Sequence, residues 1–177
     1  AIHIPLYDTT TKSSFAAEID IVLTDNTLIT SHDHDIYQLS EFFKSLNDDV
    51  SKREIFQDKS PAAILYYLLE MLLESCFPKM DHMVHKLEHI EEEIFSGHEK
   101  EMVFEISIVK RDILSFRRTM KPQRSVIESL AQRGYKLIEL DLRPYYQDLV
   151  GTNIRVWNSL ENLKETIESL EETNNSL

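Results

Sequence analysis

An α+β fold is predicted, with a partial antiparallel sheet followed by a long antiparallel helical hairpin and a long terminal helix. Three observations carry this expectation. Apolar residues alternate with period two only in the first third of the chain, as strands with one buried face require. After Ser60 they recur at three- and four-residue steps over long runs, the signature of amphipathic helices. Only 3 Gly and 5 Pro occur among 177 residues, too few for the tight turns of a compact all-β fold.

Taken in order, Ile2, Ile4 and Leu6 alternate, then Glu18 to Leu23, then Thr27 to Ser31 after the turn-forming pair Asp25-Asn26. Leu39, Phe42, Phe43 and Leu46 predict a short helix over Ile36 to Leu46 that covers the sheet. Asn47 to Lys59 is polar and is expected to be a loop or a frayed turn. Ser60 as N-cap with Pro61 at the first helical position is a strong helix start. Met80, Met83, Leu87, Ile90 and Ile94 then form a seam ended by Ser96-Gly97, glycine being suited to a left-handed helix end. Ile106, Val109, Ile113, Phe116 and Met120 repeat the pattern, so the two helices should fold back around Gly97, with a kink at Pro122.

A connector after Gly134 leads to Arg143-Pro144 and a third helix. Its seam runs Tyr146, Leu149, Asn153, Val156, Leu160, Leu163, Ile167 and Leu170. At about 1.5 Å per residue it spans roughly 50 Å, more than one small domain is expected to bury. Asn153 stands in the seam, either fixing register or oligomer number or lying at a wet end. The divisions expected are 1–59, 60–134 and 135–177.

The net charge of -12 repels phosphate backbones and attracts divalent cations, so nucleic acid is not an expected partner. Cys76 is the single cysteine, which excludes an internal disulfide and a multi-cysteine zinc site and fits a reducing, cytoplasmic setting. Glycine-rich phosphate-binding motifs do not occur. The most apolar stretch, Pro61 to Phe77, is interrupted by Glu70, Glu74 and Ser75, so the polypeptide as it stands should be soluble.

His82, His85 and His89 share one stripe of the first long helix and are a candidate transition-metal set, although a polar hairpin face needs no metal to explain it. His85 to His89 also matches H-x-x-E-H, a zinc-protease pattern short enough to arise by chance. A ferritin-like di-metal enzyme needs Glu-x-x-His, and no histidine here has Glu three residues before it. No enzyme is expected, and no catalytic or cofactor-binding residue is assigned. The rival to the reading that follows is a coiled-coil oligomerisation or interaction module acting through the Tyr146 to Leu170 seam.

Five segments stand out across essentially the whole chain: Asp25 to Thr30 (DNTLIT), Ser60 to Glu70 (SPAAILYYLLE), Phe77 to Asp81 (FPKMD), Arg117 to Arg124 (RRTMKPQR) and Arg143 to Leu149 (RPYYQDL). Together, and in this order, they resemble the CorA family of magnesium and divalent-cation transporters. The resemblance implies that the first third is part of an α/β/α cytoplasmic domain. The hairpin corresponds to the family's willow helices and the third helix to its stalk, with the chain stopping before the transmembrane helices. It implies a homopentamer attached to the cytoplasmic side of the inner membrane, with this piece alone monomeric or non-natively associated. An uncovered sheet edge would favour such non-native pairing.

The resemblance also implies Mg2+ as transported and regulatory ion, with Co2+, Ni2+ or another divalent cation in its place. Carried over by position, the regulatory ligands are Asp148 on the stalk and Glu70 on the first long helix, where the family more often has Asp. A second stalk acid common in the family corresponds to Gly151, and further partner acids belong to sequence preceding Ala1. Mg2+ keeps several waters and needs only one or two carboxylates from each side of an interface. Bound cations would offset repulsion among acidic subunits and hold the pore closed, and falling metal would release it.

Overall fold

The computed structural model describes residues 1–8, 10, 13–133 and 136–177, with the Arg133 side chain left out. Strands β1 (Ile2–Asp8), β2 (Ser13–Leu23) and β3 (Leu28–His32) form an antiparallel sheet in the order β1-β2-β3. Register follows the alternation, with Ile2 opposite Ile19, Ile4 opposite Ala17 and Leu23 opposite Leu28. Ile2, Ile4, Ala17 and Ile19 are buried, so one face of the sheet is closed. Ile2 and Ile4 share with Leu69, Leu72 and Ile127 a void of only about 20 Å³, which marks close packing.

Helix α1 (Tyr37–Asp48) forms one residue later than the seam predicts. Its main contacts are with the next two helices, while the sheet's principal helical neighbours lie later in the chain. The expected loop at Asn47 to Lys59 is instead largely helix, α2 (Val50–Gln57). Asp49 caps it, its carboxylate accepting from the Ser51 and Lys52 amides at 3.0 and 3.3 Å. Phe56 then stacks edge-on between Phe42 and Tyr67, which supplies the apolar anchor that the polar local sequence hides.

Helix α3 (Pro61–Glu74) starts as expected, Ser60 Oγ accepting from the Ala63 amide at 3.2 Å. The first long helix is not continuous, because Ser75 separates α3 from α4 (Cys76–Phe95). Pro78 lacks the N–H that would serve the Glu74 carbonyl, and its ring crowds that turn. Gly97 at φ 88° makes the reversal into α5 (Glu99–Met120), a conformation that costs any residue with a Cβ. Where a kink is expected at Pro122 the helix is interrupted, α5 ending at Met120 and α6 (Gln123–Arg133) beginning after the proline. The connector placed after Gly134 begins outside the described residues. A 3-10 turn at Leu140–Leu142 leads into α7 (Arg143–Ser176), with Pro144 in its first turn.

The seam of α7 is closed within the chain, against expectation. Tyr146, Leu149, Val156, Leu160, Leu163, Ile167 and Leu170 are all buried. They pack against α3, α4, α5 and α6, so four helices together supply the length that one small domain could not. Burial of each such side chain contributes about 1.5–3 kcal/mol. Lys110 reaches Glu171 and Arg117 reaches Glu161, so α5 and α7 run antiparallel along their whole overlap. No helix among the described residues is long and apolar enough to cross a membrane.

The β1–β2 hairpin is docked on the helices by polar clamps. Lys79 Nζ donates to the Pro5 carbonyl at 2.6 Å. The Ser14 amide donates to Asp112 Oδ1 at 3.2 Å, and Ser115 Oγ donates to the Ser14 carbonyl at 2.9 Å. Proline has no N–H to offer, so at Pro5 both main-chain groups are closed to an added strand. The open edge expected of an incomplete sheet is therefore blunted at this point.

Candidate functional site

The first turns of α7 are fixed to the start of α3 by one buried bond. Tyr146 is fully buried, and its hydroxyl donates to the Ala62 carbonyl at 2.7 Å. This contact sets Asp148, two residues on, beside the middle of α3. Tyr66 of α3 stacks within 5.5 Å of Tyr145 and 6.1 Å of Tyr146, measured between ring centres. Its hydroxyl donates to Glu70 Oε1 at 2.5 Å, one helical turn along.

Burial first, then the hydrogen bond to Glu70, the Glu70 charge and the Asp148 charge push the Tyr66 phenol above its ordinary range. Both acids singled out from the sequence thus act on one phenol, from two different helices. Glu70 is half-buried and held by Tyr66, while Asp148 is exposed. Gly151 lies on the same exposed face of α7, and a Cβ there would meet nothing within 4 Å. Arg155, further along that side, approaches Glu74 at 3.8 Å and donates to Thr152 Oγ1 at 3.0 Å.

The histidine stripe divides. His85 and His89 are exposed on α4, and His85 Nδ1 sits 3.0 Å from Glu88 Oε2. His82 lies at the mouth of a cavity between α4, α5 and β1. Among the described residues no group of three or more His, Cys, Asp or Glu side chains is gathered to hold a metal ion. Two carboxylates on one chain leave most of an octahedral shell to water or to another chain, which suits Mg2+ better than a metal that demands a full protein cage.

Tyr66 was not singled out from the sequence, where it reads as one more apolar position of α3. The local signal was present, since Tyr66 and Glu70 are four residues apart on a helix. Asn153 is 2 % exposed in the seam, and its Nδ2 has no hydrogen-bond partner among the described residues. It is buried within the chain and not at a wet end.

A family model described as CorA-like Mg2+ transporter protein matches residues 2–177. The chain is 24% identical over 165 residues to the cobalt/magnesium transport protein CorA of Thermotoga maritima, covering 93% of this chain and 46% of that protein. It is 21% identical over 168 residues to the protein of the same name from Methanocaldococcus jannaschii, covering 94% of this chain and 51% of that one. The chain thus spans about half the length of the curated relatives it matches. Among solved structures, the soluble domain of CorA from Methanocaldococcus jannaschii superposes with a TM-score of 0.87 at 18% identity, covering 99% of this chain and 68% of that one. The complete CorA magnesium transporter from the same organism gives 0.86 at 18% identity, covering 99% of this chain and 54% of that one.

Proposed function

The chain belongs to the family of CorA-like Mg2+ transporter proteins, and from that premise we propose that it is the cytoplasmic part of a divalent-cation transporter, sensing Mg2+ and gating a pore. Asp148 and Glu70 are the ligands this chain contributes. The observation that carries the proposal is Tyr66, a single hydroxyl bonded to Glu70 and within the field of Asp148. A cation arriving there meets two carboxylates on two helices, and a neighbouring copy completes the site.

The regulation follows from charge and from the shape of α7. Copies carrying -12 each repel when assembled, and Mg2+ bound between them offsets that repulsion. Loss of the ion lets the copies separate. A helix of 34 residues then carries the displacement from Asp148 at one end to its far end, so binding and gating are linked equilibria. The assembly is a homopentamer on the cytoplasmic side of the membrane, and Mg2+, with Co2+ as substitute, is both regulator and cargo. Residues 1–59 form the sheet unit, 60–134 the willow hairpin and 135–177 the stalk. A coiled-coil module docking through the Tyr146 to Leu170 seam finds that seam already occupied by α3 to α6.

The test is the mass in solution by light scattering, with and without millimolar Mg2+. The expected outcome is a Mg2+-dependent rise in mass that is lost in Asp148→Ala and weakened in Glu70→Gln. A mass indifferent to Mg2+ in the parent chain removes the ligand role from both residues.

A further inference from the structure

The cavity at which His82 lies is separate from Asp148 and Glu70, since nothing from α3 or α7 lines it. It has a volume of about 330 Å³, at the small end of the roughly 300–1,000 Å³ of small-molecule sites. Leu6, Met83, Val109 and Phe116 make its wall apolar. Among the described residues its polar groups are few and mostly of one sign. Lys79, His82 and Lys86 follow one another at three- and four-residue steps on α4, and all three line the same opening.

We propose that this cavity binds a small amphipathic monocarboxylate, its apolar body against Met83 and Phe116 and its carboxylate between Lys79 and Lys86. A chain of net charge -12 has no general reason to gather two ammonium groups and an imidazole around an apolar hole. Lys79 uses one of its three donors on the Pro5 carbonyl, and burial pushes its pKa down. Lys86 stands over the Tyr7 ring at 5.9 Å from its centre, held at the mouth. Asp112 is the opposing charge, and its carboxylate accepts the Ser14 amide, which engages it with β2.

The chemistry of the lining selects among anions. Among the described residues no arginine fork and no glycine-rich loop of amides lines the opening, so the planar and multivalent recognition of phosphate has no counterpart among them. Two lysine point charges above an apolar wall match a single carboxylate on an aliphatic or aromatic body. The ligand would touch β1, α4 and α5 together, and so would brace the junction that the Lys79 and Asp112 clamps already make. It provides a second input to the same domain, independent of divalent cations.

The experiment follows the Met83 methyl resonance of the full chain, labelled at methionine, during titration with octanoate. Acetate carries the charge without the body, and 1-octanol the body without the charge. The expected outcome is a saturable Met83 shift with octanoate alone, weakened about tenfold in Lys79→Met. Because Lys79→Met also removes the bond to Pro5, Lys86→Glu at the open mouth is the second variant and must weaken octanoate as well. Equal binding of 1-octanol, or no saturable shift at millimolar octanoate, overturns the proposal.

Discussion

Along α7 the side chains of Tyr146, Leu149, Val156, Leu160 and Ile167 are closed against α3 to α6, whereas Asp148, Gly151, Arg155, Asn158 and Asn162 are exposed. One helix therefore carries its stability on one face and its proposed ligand on the other. Because the two faces share no side chain, they can be separated by substitution. The buried face should answer in unfolding free energy and be indifferent to Mg2+, and the exposed face should do the reverse.

The largest effect is expected from Leu160→Ala. It removes a fully buried side chain between helices that cannot collapse onto it, and should lower unfolding stability in urea by about 2–5 kcal/mol. Tyr146→Phe keeps the ring but leaves the Ala62 carbonyl without its donor, and should lower stability by about 1–3 kcal/mol in the same assay. A smaller loss for Tyr146→Phe than for Leu160→Ala would fit a face held by packing first and by that single bond second.

Alkaline pH probes the buried side differently. Burial pushes the Cys76 thiol up to about 12, and the Tyr66 and Tyr146 phenols also rise. A group raised in the folded state contributes stability that is complete below its unfolded pKa, about 8.5 for a thiol, and that is lost as pH climbs through the folded value. The urea midpoint should therefore fall between about pH 8.5 and 12, and the fall should be smaller in Cys76→Ala. The smallest effect on folding belongs to Asp148→Ala, which should shift stability by less than about 0.5 kcal/mol without Mg2+, yet remove the Mg2+-dependent stabilisation that the proposed site predicts for the parent chain. A loss as large as that of Leu160→Ala would abolish the division between the faces.

What could be read from the sequence follows the same division. The seam of α7, the Ser60-Pro61 start and the Gly97 reversal were legible because each is written in local periodicity or in a residue of special backbone freedom. The α3–α4 break was legible only from Pro78, since the apolar spacing runs on past Ser75 as if nothing had happened. Helix α2 was illegible because its cap, Asp49, and its anchor, Phe56, act through a turn and through distant aromatic rings. Asp148 shows no period that marks it out among exposed residues, and its candidacy came from resemblance. Tyr66 shows the opposite failing. Its apolar setting made it look like core, and only the placing of α7 against α3 reveals a hydroxyl bonded to Glu70 and within the field of Asp148. His82 was grouped with His85 and His89 by spacing alone, and the packing of β1 against α4 separates them.

The most direct measurement is the ultraviolet difference absorbance of tyrosine during a Mg2+ titration at neutral pH, on the parent chain and on Tyr66→Phe, Tyr67→Phe and Asp148→Asn. Seven tyrosines are present, so the variants assign the signal. A cation joining Glu70 and Asp148 must change the environment of the one phenol bonded to Glu70. The account predicts a saturable perturbation in the parent and in Tyr67→Phe that disappears in Tyr66→Phe and in Asp148→Asn. A perturbation that survives in Tyr66→Phe, or none in the parent chain, contradicts it.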